Sequence, residues 1–306
     1  MAEHKILIEK IKKLKKQKNA VILAHNYQRP EIYDVADFIG DSLKLCLEAR
    51  ETDADIILFC GVSFMAETAC ILNPDKKVIV PFIDAGCAMA DMLSIEALRK
   101  MKKAHPGVPV VTYVNSSAEV KAESDYCCTS ANAVEVVRRI EGDKVLFVPD
   151  RNLAGYVGRQ VPEKKVIAFD GYCPVHDMIN AEYLDDAIKT YPSAKLIAHP
   201  ECRQEVLERA DAVRSTSGMI KAVQEMDAEE FFVLTECGMI ERLKREVPGK
   251  KFYGLCNMCF DMKKNNLESV FRCLEDEGPK VKVDKNVASK ALLSLENMFD
   301  IMEDHG

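Results

Sequence analysis

Asp84-Ala-Gly-Cys87-Ala-Met-Ala-Asp91 sets a cysteine in a short loop, and an equivalent cysteine returns twice. Cys173 follows 86 residues later, in Asp170-Gly-Tyr-Cys173-Pro-Val-His176, and Cys259 another 86 on, in Leu255-Cys-Asn-Met-Cys259-Phe-Asp-Met262. A lysine pair (Lys76-Lys77, Lys164-Lys165, Lys250-Lys251) precedes a short apolar run ahead of each cysteine. Earlier landmarks keep the same register. The apolar runs ending at His25, Tyr113 and His199 are each followed, 17 residues on, by a hydroxyl: Ser42, Ser130 and Thr216. From strand end to cysteine the intervals are 62, 60 and 60 residues. We read one unit written three times, each copy delivering a thiolate to a shared centre.

A period near 86 residues is longer than solenoid repeats and suits small fused domains. Within each copy short apolar strands alternate with helical stretches, which is the pattern of βαβ units and a parallel sheet. The chain is therefore expected to be α/β, with three pseudo-threefold-related αβα sandwich domains whose short parallel sheets surround a central site. The expected boundaries are 1–105, 106–192 and 193–306. The tail from Asn265 carries Leu292, Leu295, Met298, Phe299 and Met302 as an apolar stripe, expected to pack back on the body, with the first domain as its expected partner. The marked residues fall just after strands, at the carboxyl edge where such sheets bind ligands.

Composition narrows the function. Forty-two Lys and Arg against 49 Asp and Glu give −7, which argues against a nucleic-acid partner. The basic run Lys10 to Lys18 reads as the solvated face of an amphipathic first helix. The opening residues are polar and the apolar runs are too short to span a bilayer, so no membrane and a cytoplasmic location are expected. Twelve cysteines in a reducing compartment point to metal or chemistry rather than disulfides.

Cys87, Cys173 and Cys259 stand apart from the other cysteines by equivalent placement. Three converging thiolates suit an iron–sulfur cluster with one iron free, or zinc with an open position. Cys259, not Cys256, holds register in the CxxC. Ser42, Ser130 and Thr216 are expected to N-cap helices, and three helix N-termini aimed at one point would bind a phosphate or carboxylate. His25, Tyr113 and His199 take one place in three copies and are candidate site residues.

Ala24-His25-Asn-Tyr27-Gln, Gly40-Asp-Ser42, Gly86-Cys87-Ala-Met-Ala-Asp91, Thr112-Tyr-Val-Asn115-Ser, Thr129-Ser-Ala-Asn-Ala, Pro149-Asp-Arg-Asn-Leu, Gly171-Tyr-Cys173, His199-Pro-Glu-Cys and Ser215-Thr-Ser-Gly resemble the quinolinate synthase family nearly end to end. The resemblance implies a [4Fe–4S] cluster on Cys87, Cys173 and Cys259, with one open iron site acting as a Lewis acid. It implies condensation of iminoaspartate with dihydroxyacetone phosphate to quinolinate in NAD biosynthesis. A functional link to an aspartate oxidase or dehydrogenase would follow. On this reading Ser42, Ser130, Ser215 and Thr216 hold phosphate and later a carboxylate. His25, Tyr27, His199 and Glu201 carry protons, and Tyr113 and Asn115 orient substrate. His176 and Glu236 are further candidates by register. Some relatives extend the last motif to three cysteines; Tyr253 stands where the first would be. An iron–sulfur hydro-lyase acting on another hydroxy acid, and a zinc-stabilised binding module, remain alternatives.

Overall fold

The computed structural model describes residues 2–303, so Met1 and 304–306, the ends of the expected first and third domains, lie outside it. Its strands form three four-stranded sheets, every pairing within them parallel. The first contains β1 (Ala20–His25), β2 (Phe38–Gly40), β3 (Ile56–Cys60) and β4 (Lys77–Ile79), in the order β2-β1-β3-β4. The second contains β5 (Val110–Tyr113), β6 (Tyr126–Cys128), β7 (Lys144–Val148) and β8 (Lys165–Ala168), in the order β6-β5-β7-β8. The third contains β9 (Lys195–Ala198), β10 (Ala212–Val213), β11 (Glu230–Leu234) and β12 (Lys251–Gly254), in the order β10-β9-β11-β12.

The order is the same in all three. The chain leaves the first strand of each unit to one side and returns on the other, so the topology reverses between the first and third strands. That crevice, at the carboxyl ends, is where open α/β sheets bind ligands. It is also where β1, β5 and β9 deliver His25, Tyr113 and His199.

The strands are apolar runs because helices cover both faces. Along β1, Val21 and Leu23 enter one buried cluster while Ile22 and Ala24 enter another. The first of these clusters also holds Ile197, Phe231 and Val233, so the first and third units share a core. The N-terminal helix Ala2–Gln17 buries Ile11 against the first sheet, and Lys15 and Lys18 reach out to Asp37 and Glu277. The two tail helices part company. Leu267–Asp276 packs Leu267, Val270 and Leu274 into the first unit, whereas Lys285–Glu303 packs Ala291, Leu295, Met298 and Phe299 into the second.

Repeated polar devices hold the units in shape. Asp37, Asp125 and Asp211 each accept a backbone N–H near the start of a central strand, from Ile22, Val110 and Leu196, at 2.7–2.8 Å. Lys164 donates to the Val137 and Ile140 carbonyls, and Lys250 to those of Val223 and Met226. Both lysines thus neutralise the negative end of a helix, Ala133–Arg139 or Thr216–Glu225. In the first unit Lys76 holds their place in register, and its neighbour Lys77 pairs with Glu277.

Candidate active site

The expected capping roles need correction. Asp41 caps the helix Ser42–Glu51, accepting from Lys44 N at 3.0 Å, and Ser215 caps Thr216–Glu225, accepting from Gly218 N at 3.3 Å. Asn132 holds the N-cap position before Ala133–Arg139, without a side-chain cap bond. Ser42 and Thr216 are therefore first-turn residues, and Ser130 lies two residues before the N-cap Asn132. Ser215 Oγ also donates to Asp41 Oδ2 at 3.1 Å, so two of the helix starts are tied together. Ser215 is spent on this bond and does not line the cavity described next.

At the meeting of the three carboxyl edges lies a cavity of about 420 Å³. Its walls include His25, Tyr27, Tyr113, His199 and Glu201, the hydroxyl residues Ser42, Ser130 and Thr216, and Asn115. Cys87, Cys173 and Cys259 line the same space. Four carboxylates face it (Asp41, Glu201, Glu236 and Asp261), with no lysine or arginine among the described lining residues.

One carboxylate organises the floor. Glu201 Oε1 accepts from the Tyr113 hydroxyl at 2.6 Å, and Glu201 Oε2 lies 2.9 Å from His176 Nδ1. His176 stacks on His199, ring centroids 4.6 Å apart, and its Nδ1 is 3.2 Å from Cys173 Sγ. His176 Nε2 meets Thr235 Oγ1 at 2.8 Å, and Thr235 in turn meets the Tyr27 hydroxyl at 2.6 Å. Tyr27 sits edge-on to His25 at 4.7 Å. A continuous buried chain thus runs from Tyr113 through Glu201, His176 and Thr235 to Tyr27.

Burial sets the electrostatics. It drives His25 down to about 4, with Lys263 adding to it and Asp41 and Glu201 opposing. It drives His199 down to about 3, aided by His176 and His25 and opposed by Glu201. Both imidazoles are neutral near pH 7. Each Nδ1 accepts a backbone N–H, from Tyr27 at 3.2 Å and from Glu201 at 3.4 Å, which leaves the ring proton on Nε2. Burial alone would raise the Glu201 carboxyl, but His176, His199 and the hydrogen bonds from His176 and Tyr113 outweigh it and hold the group well below the usual carboxylate range. Burial, with Glu201 adding to it, raises the Tyr27 and Tyr113 phenols well above theirs.

The loops bearing the cysteines are braced from behind. Asp150 Oδ2 accepts the Cys173 N–H at 3.2 Å, and Glu236 Oε1 accepts that of Cys259 at 3.3 Å. These two carboxylates each stand two residues past a strand, β7 or β11, where the first unit has Val62. Glu236 further accepts from Gly238 N at 2.7 Å and pairs with Lys263, which also donates to the Tyr27 carbonyl. A Cβ at Gly238 would press on Lys263 Nζ, lie 2.7 Å from Glu236 Oε2 and stand 3.0 Å from the Tyr27 carbonyl, so any larger residue there would displace this pair. The Cys259 loop is thereby fastened to the Tyr27 loop of the first unit.

Residues 9–300 match the family model described as quinolinate synthetase A protein. The chain belongs to the quinolinate synthetase A family. It is 52% identical over 297 residues to the quinolinate synthase of Alkaliphilus metalliredigens, covering 96% of this chain and 98% of that one. It is 52% identical to that of Methanosarcina barkeri, covering 96% of this chain and 97% of that one. It is 48% identical to that of Thermodesulfovibrio yellowstonii, with 96% and 98% covered. As a member of the quinolinate synthase family the chain is an enzyme, and the three-sheet architecture expected from its period is the one it has. Among the described residues no helix is long and apolar enough to cross a membrane.

His176, which register places near the axis, is at the centre of the floor. Thr235, Asp41, Asp150 and Lys263, which the sequence does not mark, support the site directly. The register that marks Glu236 also reaches Asp150, since both follow equivalent strands at equal distance. Nothing in the sequence announces the pairing of Thr235 with Tyr27, which is made by two different units.

Proposed function

We propose that the chain condenses iminoaspartate with dihydroxyacetone phosphate to quinolinate, releasing phosphate and water, in NAD biosynthesis. The observation that carries this reading is the meeting of three register-equivalent cysteines with the Glu201–His176–Tyr113 cluster in one cavity. We take residues 1–105, 106–192 and 193–306 as its three domains. A reducing cytoplasmic setting suits so many free thiols.

The donor set fits a [4Fe–4S] cluster on Cys87, Cys173 and Cys259. Thiolates are the soft ligands iron–sulfur clusters need, and these three are close enough that ionising Cys259 disfavours ionising Cys87, and Cys87 likewise Cys173. Cys256 also reaches the cavity wall but is exposed, whereas those three are partly buried. When bound, the cluster would supply a Lewis-acidic iron able to stabilise an oxygen leaving as hydroxide.

The chain's own residues do the rest. With no Lys or Arg among the described wall residues, anionic groups are met by neutral donors: the hydroxyls of Ser42, Ser130 and Thr216 and the positive ends of the helices beginning at Ser42 and Thr216. Asn115 Oδ1 is buried and finds no partner among the described residues, so it is ready to accept a substrate N–H or O–H. His25 and His199, neutral with Nε2–H, donate to substrate oxygens without adding charge. Tyr27 and Tyr113 remain protonated and serve as donors within the buried chain. Glu201 orients Tyr113 and His176 and accepts a proton only when one is released beside it. Burial in a shaped cavity excludes water from an imine that water would hydrolyse. That same lability means an enzyme oxidising aspartate must supply the substrate.

The test is anaerobic purification with iron and acid-labile sulfide analysis, followed by incubation with dihydroxyacetone phosphate and freshly generated iminoaspartate. Quinolinate formed in proportion to iron–sulfur content is the expected result. A cluster-bearing chain that forms none, yet dehydrates a simple hydroxy acid, would favour the hydro-lyase alternative.

A further inference from the structure

The floor of the cavity holds a second donor set that differs from the three cysteines. Cys173 Sγ, His176 Nδ1 and Glu201 Oε2 lie within 4.8 Å of one another. His176 Nδ1 is 3.2 Å from the sulfur and 2.9 Å from the carboxylate oxygen. Donors around a tetrahedral zinc, at bond lengths of about 2.0–2.3 Å, stand roughly 3.3–3.6 Å apart. The two edges that include His176 are thus within about half an ångström of that spacing, and the third, from Cys173 to Glu201, is at most 4.8 Å.

Each donor already has an outer partner of the kind that orients metal ligands. Tyr113 donates to Glu201 Oε1 at 2.6 Å, leaving Oε2 free to turn inward. Thr235 Oγ1 lies 2.8 Å from His176 Nε2, and accepting that ring proton would leave the Nδ1 lone pair for a cation. Asp150 accepts the Cys173 N–H at 3.2 Å and fixes the loop. The side chains of His176 and Glu201 are 3% and 4% exposed, and among the described residues no lysine or arginine lines the cavity to balance the carboxylate.

We propose that Cys173, His176 and Glu201 form a binding site for a zinc-like divalent cation in the protein lacking its cluster. Because Cys173 belongs to both sets, cation and cluster exclude each other there. Zinc in this site would block cluster assembly at one thiolate while leaving Cys87 and Cys259 free. The inference shares Cys173 with the function proposed above and stands on its own donor set.

The full-length chain, prepared anaerobically without iron, is titrated with zinc against a chromophoric chelator, and separately with cobalt. The expected result is one zinc per chain in the wild type, Cys87→Ser and Cys259→Ser. His176→Ala and Glu201→Ala should bind it more weakly by more than the about 10–100-fold that loss of an outer partner costs. Cobalt in the wild type should show charge-transfer absorbance of one thiolate, a readout that needs no variant to fold. Prior zinc should slow loading with iron and sulfide in the wild type more than in His176→Ala. Zinc binding lost in Cys87→Ser or Cys259→Ser, or a three-thiolate cobalt spectrum, would assign the cation to the cysteine centre and overturn the proposal. No zinc bound by the folded wild type would overturn it as well. None of these outcomes depends on whether quinolinate is made.

Discussion

Tyr113 of the second unit donates to Glu201 of the third at 2.6 Å, both side chains buried. The phenol is thus part of the reason the carboxylate stays ionised out of water. Tyr113→Phe should lower kcat/KM for quinolinate formation by roughly 5- to 150-fold, the cost of about 1–3 kcal/mol for an unmet buried partner. An unchanged kcat/KM would mean that Glu201 does not depend on this bond.

Cys87→Ser, Cys173→Ser and Cys259→Ser should each lose cluster absorbance and iron, because iron needs thiolate. Cys256→Ser should keep both. Iron and sulfide analysis decides, and a Cys256→Ser chain without cluster beside a Cys259→Ser chain with it would reverse the assignment.

Ser42→Ala and Ser130→Ala should weaken dihydroxyacetone phosphate binding about 5- to 150-fold with little change in melting temperature. Thr216→Val should do both, because Thr216 Oγ1 also accepts from the buried Asn26 amide at 2.8 Å. Equilibrium binding and thermal melting on the same samples separate the two effects.

Acid should destabilise the metal-free protein in two stages. His25 and His199 sit near 4 and 3 when folded, against about 6.5 unfolded, so the unfolded chain takes up protons first. Stability is full above pH about 6.5 and falls as pH drops toward about 4. Glu201, held low when folded, adds a further loss below pH about 4.3, as the unfolded carboxyl protonates. Denaturant midpoints measured across this range should slope less between pH 6.5 and 4 in His199→Asn than in the wild type. Equal slopes would mean that His199 charges in the folded state.

Lys263→Met should lower the melting temperature more than its exposed neighbours do. Lys263 is the cation facing Glu236, whose side chain is fully buried, and removing one partner of a buried pair costs about 3–5 kcal/mol. Restored stability in Lys263→Met with Glu236→Gln would identify the orphaned charge as the cause.

The threefold plan was legible because the longer strands carry apolar runs such as Val21-Ile-Leu-Ala24, Val145-Leu-Phe-Val148 and Phe231-Phe-Val-Leu234, as parallel strands buried on both faces do. The edge strands β2, β6 and β10 were not, being three, three and two residues long and too short to show a period. Asp41-Ser42 and Ser215-Thr216 each offer two adjacent cap-competent residues, and the backbone places the first, not the second, at the helix boundary. Asp37, Asp125 and Asp211 looked like ordinary loop residues, since only the fold brings them to a strand start. Register places His176 near the axis but cannot show its weight, because its counterparts Ala90 and Met262 are apolar. Its importance comes from the partners that other units carry to it.

The distribution of the three cysteines over three units also bears on synthesis. Cys87 and Cys173 leave the ribosome well before Cys259, the last interval being 86 residues. At about 5–20 residues per second that is roughly 4–17 s during which a nascent chain displays two of the three thiols. The His25 and Tyr113 edges exist by then, while His199 and Glu201 follow 26 and 28 residues after Cys173, Glu236 follows 63 after it, and Lys263 comes four residues past Cys259. The proposed three-cysteine centre would thus stay an unfinished receptacle until nearly the whole polypeptide has been made.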